Sequence, residues 1–265
     1  MTRAPLVRFE QGGGEAARIT LDNAARHNAL TPALLDDLRA ALILARESDA
    51  RLLVIAGEGR SFSTGGDIAG FLDHADDPAR LRDYAERIVQ ALNDAILDLL
   101  RLPIPIIARV QGATTGGAMG LVLASDIVLT TPDAFFQPWY GVVGFAPDGG
   151  WTALMGERLG AARSIAAQAL NRRIDASEAL RLGLADEIVP LDERDARIAE
   201  LAKAIATQSA GTLAATRSLV WDAARLRAVE DRLDAEKHAF VARVALPEVL
   251  AGMRDFVEQR GRKAG

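Results

Sequence analysis

The sequence has no cysteine, which excludes disulfides, thiolate catalysis and thiolate metal sites. Its beginning, MTRAPLVRFEQGGG, lacks the apolar core of a signal peptide, so we expect a cytoplasmic protein. Its longest uncharged run, Val110 to Ser125, contains four glycines and falls short of a membrane span. A membrane is therefore not an expected partner.

Histidine and surplus positive charge are also scarce. The three histidines do not cluster with carboxylates at metal-ligand spacing, so no metal site is predicted. The 31 basic residues against 36 acidic ones give a net charge of -5. That balance provides no general attraction for nucleic acid, which is not an expected partner either.

What the chain does contain is typical of a globular protein. It has 265 residues, 49% of them hydrophobic and 25% charged, and no repeat stands out. Short apolar runs alternate with segments of helical period, and this predicts the α/β class. From Leu191 onward the strand signals stop. We therefore divide the chain into an α/β core at 1–190 and a helical C-terminal region at 191–265.

The individual elements follow from apolar spacing and turn residues. We predict a hairpin (6–9 and 18–21, with a glycine turn at 12–14), a helix (30–47), a strand (52–57), a helical segment ending at 100, a strand (103–112), a buried helix (116–125), a strand (126–131), a helix (176–183), a strand (185–190), and a last helix opened by Pro247.

Two segments place glycines before a helix: FSTGGD at 62–67 and QGATTGGAMGLVLAS at 111–125. Neither has the spacing of a phosphate loop or a dinucleotide fingerprint. One interpretation is close packing of helices in the core. The other is a pair of backbone amides aimed at one oxygen, which would form an oxyanion hole.

One acid lies between a proline and two glycines, Asp148 in FAPDGGWTALMGERLG. Aspartate is among the preferred N-cap residues, so this acid could simply start a helix by satisfying free amides. Alternatively, it could react with a substrate. Local sequence alone leaves both interpretations open.

Four motifs occur together in one order. They are NAARHNALT (23–31), RSFSTGGDI (60–68), PIPIIARVQGATTGGAMGLVLASDIVL (103–129) and VGFAPDGGWTALMGERLG (143–160). In order and spacing they resemble the enoyl-CoA hydratase/isomerase family, the crotonases. The resemblance covers essentially the whole chain. It implies a ββα spiral core and a C-terminal helical region for oligomerisation as a homotrimer or a dimer of trimers.

The resemblance also implies chemistry on an acyl-CoA thioester in fatty acid metabolism, through an enolate and without a cofactor beyond the substrate's coenzyme A. Two backbone amides that hold the thioester oxygen map onto Gly66 and Gly117. The stretch around Arg26 resembles one that borders the adenine of coenzyme A, although a solvated loop arginine is the alternative. The predicted substrate-binding residues are Arg26, Asn28, Gly65, Asp67, Ile68, Leu72, Tyr84, Ile88 and Tyr140.

The chain departs from the hydratases of this family at both of their glutamates, which activate water and deliver a proton. The first position falls on Gly120. The second falls on Tyr140, or on Trp139 if the neighbouring Gln-Pro pair is the anchor. A tyrosine with an ordinary pKa near ~10 is protonated at neutral pH and is no substitute for a carboxylate base. Ordinary hydration is therefore disfavoured.

Asp148 resembles the acid of the isomerase branch, where one carboxylate moves a proton between C2 and C4 of an enoyl-CoA. The leading hypothesis is an enoyl-CoA isomerase with Asp148 as the catalytic acid and base. The alternatives are a hydratase-branch or thioesterase-like enzyme with atypical residues and a non-catalytic acyl-CoA binder. A dehalogenase-like nucleophile at this position would also require a histidine, and none falls where that branch has one.

Overall fold

The computed structural model describes residues 3–11 and 16–264. In these residues the strands are β1 (Val7–Gln11), β2 (Ala17–Leu21), β3 (Leu53–Gly57), β4 (Ile106–Val110), β5 (Ala113–Thr115), β6 (Ile127–Thr130), β7 (Phe135–Gln137), β8 (Ile174–Asp175) and β9 (Glu187–Ile188). The α-helices are α1 (Pro32–Glu47), α2 (Ile68–Leu72), α3 (Pro78–Arg101), α4 (Met119–Leu123), α5 (Tyr140–Val143), α6 (Met155–Leu159), α7 (Ala161–Ala169), α8 (Ala176–Leu182), α9 (Arg194–Ala206), α10 (Ala210–Val220), α11 (Ala223–Val244) and α12 (Pro247–Ala264). The predicted α/β class is confirmed.

The larger sheet has six strands in the order β1-β2-β3-β4-β6-β9, and only β1 and β2 pair antiparallel. Every residue of β3 is buried, as expected for a parallel strand covered on both faces. Ile55 faces the large core cluster, whereas its neighbour Val54 packs in a second cluster with Ile198 and Ala202 of α9. The first helix after residue 190 therefore covers the back of the sheet.

Most predicted elements are confirmed within a few residues. The hairpin pairs Val7 with Leu21, and its glycine turn at 12–14 lies outside the described residues. The hydroxyl of Thr31 caps α1 by accepting the amide of Leu34 at 3.2 Å. The buried helix at 116–125 is confirmed as a 3₁₀ turn, Gly116–Ala118, followed by α4.

Other predictions need correction. The helical segment before residue 100 divides into α2 and α3, and the late strand is only two residues long. A second sheet, β5-β7-β8, was not predicted. Its strands have two or three residues, too few to show alternation in the sequence.

The C-terminal helices lie against the core. Helix α11 runs along α3, where the amide nitrogen of Asn93 donates a buried hydrogen bond of 3.1 Å to the carbonyl of Leu233. Helix α12, opened by Pro247 as predicted, contacts α2 and α5. Among the residues that the structure describes, no helix has the length and apolarity needed to cross a bilayer.

Candidate active site

A cavity of about 360 Å³ lies between the loops after β3 and β5, helix α5 with the turn that follows it, and helices α11 and α12. Backbone pairing brings the first two of these loops together. The amide of Ser63 donates to the carbonyl of Ala113, and the amide of Thr115 donates to the carbonyl of Ser63. As a result both Gly66 and Gly117 line the same cavity.

The backbone here requires glycine for steric reasons. Gly65 has a φ of +76°, and a Cβ on it would lie 2.4 Å from the carbonyl oxygen of Thr115. Gly117 lies in the first turn of a 3₁₀ helix, where amide N–H groups have no partner inside the helix. The amide of Gly117 therefore has no partner inside the helix, and both Gly66 and Gly117 line the cavity.

The carboxylate of Asp148 lies directly against Gly117. A Cβ on Gly117 would lie 3.2 and 3.3 Å from the two carboxylate oxygens and 2.7 Å from the Cδ2 of Leu92. The missing side chain thus provides the space that the acid occupies. Asp148 itself is buried and lines the cavity.

Tyr140 holds this carboxylate from the other side. Its hydroxyl donates to Oδ1 of Asp148 at 2.6 Å and lies 2.9 Å from the carbonyl oxygen of the same residue. Burial raises the pKa of Asp148 to about 7, against the opposing effect of the Tyr140 hydrogen bond and with a further increase from the charge of Glu236. Burial and the nearby carboxylate raise the pKa of Tyr140 well above its ordinary value, so the tyrosine remains a donor.

Asp148 does not cap a helix. Helix α6 begins at Met155 with Leu154 at its N-cap position, and a tight turn occupies 149–154. Within that turn Gly149 and Gly150 have φ values of +61° and +84°. The N-cap interpretation of Asp148 therefore does not hold, because these left-handed glycines extend the turn and delay the helix.

Aromatic side chains form the apolar wall of the cavity. The ring centroids of Phe71, Phe145 and Phe240 lie 4.6 to 5.7 Å apart. Trp139 and Phe256 form a second pair, edge to face at 5.5 Å. Phe240 and Phe256 come from α11 and α12, and sequence reasoning missed them because neither lies in a recognisable motif.

A sequence profile described as enoyl-CoA hydratase/isomerase matches residues 12–263. The chain belongs to the enoyl-CoA hydratase/isomerase family. A probable enoyl-CoA hydratase of Mycobacterium tuberculosis is 32% identical over 239 residues, covering 87% of this chain and 82% of its own. One from Rhodobacter capsulatus is 35% identical over 185 residues, covering 69% and 68%.

Solved structures confirm the crotonase fold. The crystal structure of an enoyl-CoA hydratase from Bacillus halodurans matches with a TM-score of 0.88 at 24% identity, covering 94% of this chain and 99% of that one. An enoyl-CoA hydratase/isomerase from Mycobacterium paratuberculosis matches with a TM-score of 0.85 at 24% identity, covering 95% and 98%.

In this member of the family, there is no space for a side chain at Gly120. A Cβ on it would lie 2.3 Å from the carbonyl oxygen of Gly149 and 2.4 Å from the Cδ1 of Ile96. A Cβ on Gly149 would in turn lie 2.5 Å from the Cα of Gly117. The turn that carries Asp148 therefore occupies the place where a side chain at 120 would project.

The predicted substrate-binding residues fall into two groups. Five of them line the cavity with the three predicted catalytic residues: Arg26, Asp67, Ile68, Ile88 and Tyr140. Arg26 and Asp67 pair with each other, with one guanidinium nitrogen 2.8 Å from both carboxylate oxygens. The Arg26 side chain is about half exposed, so this ion pair lies at the mouth of the cavity.

The other four predicted residues lie outside the lining, and for them the structure indicates supporting roles. Asn28 is fully buried and its amide donates to the carbonyls of Glu58, Ser61 and Phe62. Gly65 shapes the loop. Tyr84 packs edge to face on Phe71 and stacks on His74, and Leu72 packs against the core.

In the described ranges, 3–11 and 16–264, no group of three or more histidine, aspartate or glutamate side chains is arranged to hold a metal ion. The cavity is lined by the glycines at 66 and 117, by apolar walls, and by one buried carboxyl group whose pKa burial raises to about 7. This arrangement can stabilise charge on an oxygen and move a proton.

Proposed function

We propose that this member of the family is an enoyl-CoA isomerase, which shifts a double bond in an acyl-CoA thioester. The observation that carries the proposal is the position of Asp148. It is the buried acid that lies against Gly117, with a pKa of about 7, suited to taking up and releasing a proton near neutral pH.

In the proposed reaction the thioester oxygen accepts N–H groups of Gly66 and Gly117. The ionised Asp148 takes a proton from C2 of a 3-enoyl thioester, and the electrons of that C–H bond delocalise over C2, C3, C4 and the thioester oxygen. Asp148 then returns the proton to C4, which leaves the double bond between C2 and C3. Losing one such amide donor typically costs ~2.7 to 4 kcal/mol of barrier.

Hydration is the second candidate, because the curated relatives are named as hydratases. Against it stand the lack of space at Gly120 and the tyrosine at position 140, which together leave Asp148 without a second carboxylate partner at those positions. A thioesterase-like reaction also needs activated water and meets the same objection. A non-catalytic binder would leave the tuned acid without a use.

Incubation with 2-enoyl and 3-enoyl thioesters distinguishes these functions. We expect the 3-enoyl substrate to give a conjugated 2-enoyl product, which can be measured by its ultraviolet absorbance and by chromatography. A 3-hydroxyacyl product or free coenzyme A would support the second candidate or the thioesterase and contradict the isomerase. Binding of both thioesters without conversion would support the binder.

We further propose a homotrimer or dimer of trimers, acting in the cytoplasm in fatty acid metabolism and needing no cofactor beyond the coenzyme A of the substrate. Exposed apolar side chains such as Val142, Ile165 and Leu170 support assembly, since they favour burial against another subunit. Sedimentation at equilibrium checks the assembly, and a monomer would contradict it. Because no metal cofactor is expected, turnover should be undiminished after treatment with a chelator.

A further inference from the structure

One buried carboxylate near the cavity has no part in the proposed reaction. Glu236 of α11 is 4% exposed. Its Oε1 accepts the amides of Thr152 and Ala153 and the hydroxyl of Thr152, at 2.6 to 3.0 Å, and its Oε2 accepts the amide of Gly150 at 2.8 Å. All four hydrogen bonds are donated to the carboxylate, as expected for an ionised group.

These four bonds all hold one turn, the turn at 149–154 that directly follows Asp148. Burial raises the pKa of Glu236, and the four donors oppose that rise by stabilising the charged form. Within the turn, the carbonyl of Gly150 accepts hydrogen bonds from the amides of Leu154 and Met155 at 2.8 and 3.1 Å. Glu236 is the side chain that ties the turn to α11. Glu236 therefore fixes the backbone immediately after the proposed acid.

We propose that Glu236 is a positioning residue for Asp148: it fastens the turn that carries the acid and places a second buried negative charge beside it. The proposal rests on the proposed function for its catalytic consequence. Its structural content is a connection between the C-terminal helical region and the acid. Glu236 itself is not among the residues that line the cavity.

The charge of Glu236 acts on Asp148 in a defined direction. A neighbouring negative charge disfavours the ionised form of a carboxyl, so Glu236 contributes to the raised pKa of Asp148. The opposing group is Tyr140 on α5, whose hydrogen bond favours ionisation. The neighbouring 3₁₀ helix presents Gly117 to the acid, and Leu92 of α3 packs beside that glycine; neither residue is charged.

The charged groups around Glu236 on α11 are engaged elsewhere. Arg232, one turn earlier, lies 3.7 Å from Glu157 after α6 begins. The ammonium of Lys237 donates to Asp234 at 2.9 Å and to Gln90 of α3. Removal of the Glu236 charge therefore changes the field at Asp148 without releasing a basic partner of its own.

The test compares Glu236→Gln with Glu230→Gln. Glutamine keeps the shape and removes the charge, while Glu230 lies on the same helix in an exposed ion pair with Arg101. In the wild type we expect kcat/KM for a 3-enoyl thioester to rise with pH through about 7, because the base must be ionised. In Glu236→Gln this rise should move about 0.5 to 1 pH unit lower.

In Glu230→Gln the rise should stay in place. An unchanged midpoint in Glu236→Gln, or one moved to higher pH, would overturn the electrostatic part of the proposal whatever happens to the rate. The Glu236→Gln variant should also lose turnover about 10-fold with little change in KM, because its amide group faces the Gly150 N–H with a donor in place of an acceptor.

A second measurement does not need turnover. The infrared band of the protonated Asp148 carboxyl, assigned by its loss in Asp148→Asn, should titrate at lower pH in Glu236→Gln than in the wild type. If the wild type proves inactive as an isomerase, this shift still supports the positioning of Asp148, whereas an unshifted band refutes it. The two proposals can therefore fail separately.

If Glu236→Gln does not fold, Thr152→Val tests the same turn from the other side. This substitution removes the hydroxyl that donates to Oε1 at 2.6 Å and keeps the side-chain shape. We expect kcat to fall about 3- to 10-fold with KM unchanged. A kcat equal to that of the wild type in the folded variant would overturn the proposal.

Discussion

At the scale of single residues, burial raises the pKa values of two neighbouring groups in the site, and the consequence differs between them. The pKa of Tyr140 rises well above its ordinary value, so the tyrosine stays a hydrogen-bond donor, while the pKa of Asp148 rises to about 7. A carboxyl with a pKa close to the working pH is both a usable base and a usable acid. The same residue can therefore remove a proton and return it.

Replacing Asp148 with asparagine tests this assignment. The amide has nearly the same shape and can still accept the Tyr140 hydrogen bond, but it cannot take up a proton. We expect a folded protein that binds acyl-CoA normally and loses about 10²- to 10⁴-fold in turnover. Isomerase turnover within a few-fold of wild type in steady-state assays would contradict the catalytic role.

Gly66 provides a matched pair of substitutions for the oxyanion hole. Gly66→Pro removes the amide hydrogen, and we expect kcat to fall about 10²- to 10³-fold. Gly66→Ala keeps it, and its Cβ would meet only the Cε2 of Phe71 at 3.5 Å, an ordinary contact. Circular dichroism should show both variants folded. Equal turnover of the two variants would remove this amide from the mechanism.

At the scale of elements, close backbone contacts between the segment at 116–123 and the turn at 149–154 set the position of the acid. A Cβ atom added to Gly117, Gly120 or Gly149 would lie 2.3 to 2.7 Å from the nearest neighbouring atom, which is too close. The sequence predicted glycine-rich segments and left open whether they pack or bind. The structure shows that close packing and the cavity share the same glycines, so the two interpretations are not alternatives at Gly117.

The substitution Gly120→Ala tests this packing. Its methyl group would meet the Gly149 carbonyl at 2.3 Å, and the backbone oxygen cannot move aside cheaply. We expect the free energy of unfolding to fall by about 1 to 3 kcal/mol, measured by denaturant titration. Activity should fall as well, because the displaced turn carries Asp148. A variant as stable and active as the wild type would contradict the contact.

How much of these elements could be predicted depends on where the information lies. Long strands and helices with apolar periods, such as α1 and β3, were found from sequence. The polar end of the site followed from glycine and acid motifs. The aromatic wall and Glu236 did not, because their roles arise from contacts between segments far apart in the chain, which leave no local pattern; Glu236 lies 83 to 86 residues from its partners.

At the scale of the whole molecule, the buried acid couples stability to pH. The pKa of Asp148 is raised from 3.8 to about 7 on folding. The folded protein therefore holds this proton more tightly than the unfolded chain does. The stability that this group contributes is fully present below about pH 4 and is lost as the pH rises toward 7.

The measurable consequence is a difference between wild type and Asp148→Asn. Relative to the variant, the wild type should lose up to about 4 kcal/mol of unfolding free energy between pH 4 and pH 7.5, since asparagine does not titrate. Urea titrations of both proteins at several pH values check this. A difference that is constant with pH would show that Asp148 is not shifted upward.

The hydrogen bonds between Glu236 and the turn after Asp148 also bear on how the protein is made. Their partners are separated by 83 to 86 residues, with the glutamate synthesised last. Glu236 is synthesised after the α/β core at 1–190, and Phe256 of the cavity wall is synthesised later still. We therefore expect isomerase activity to appear only near the end of translation, and chains that stop short of α11 to lack the hydrogen bonds that hold the turn after Asp148.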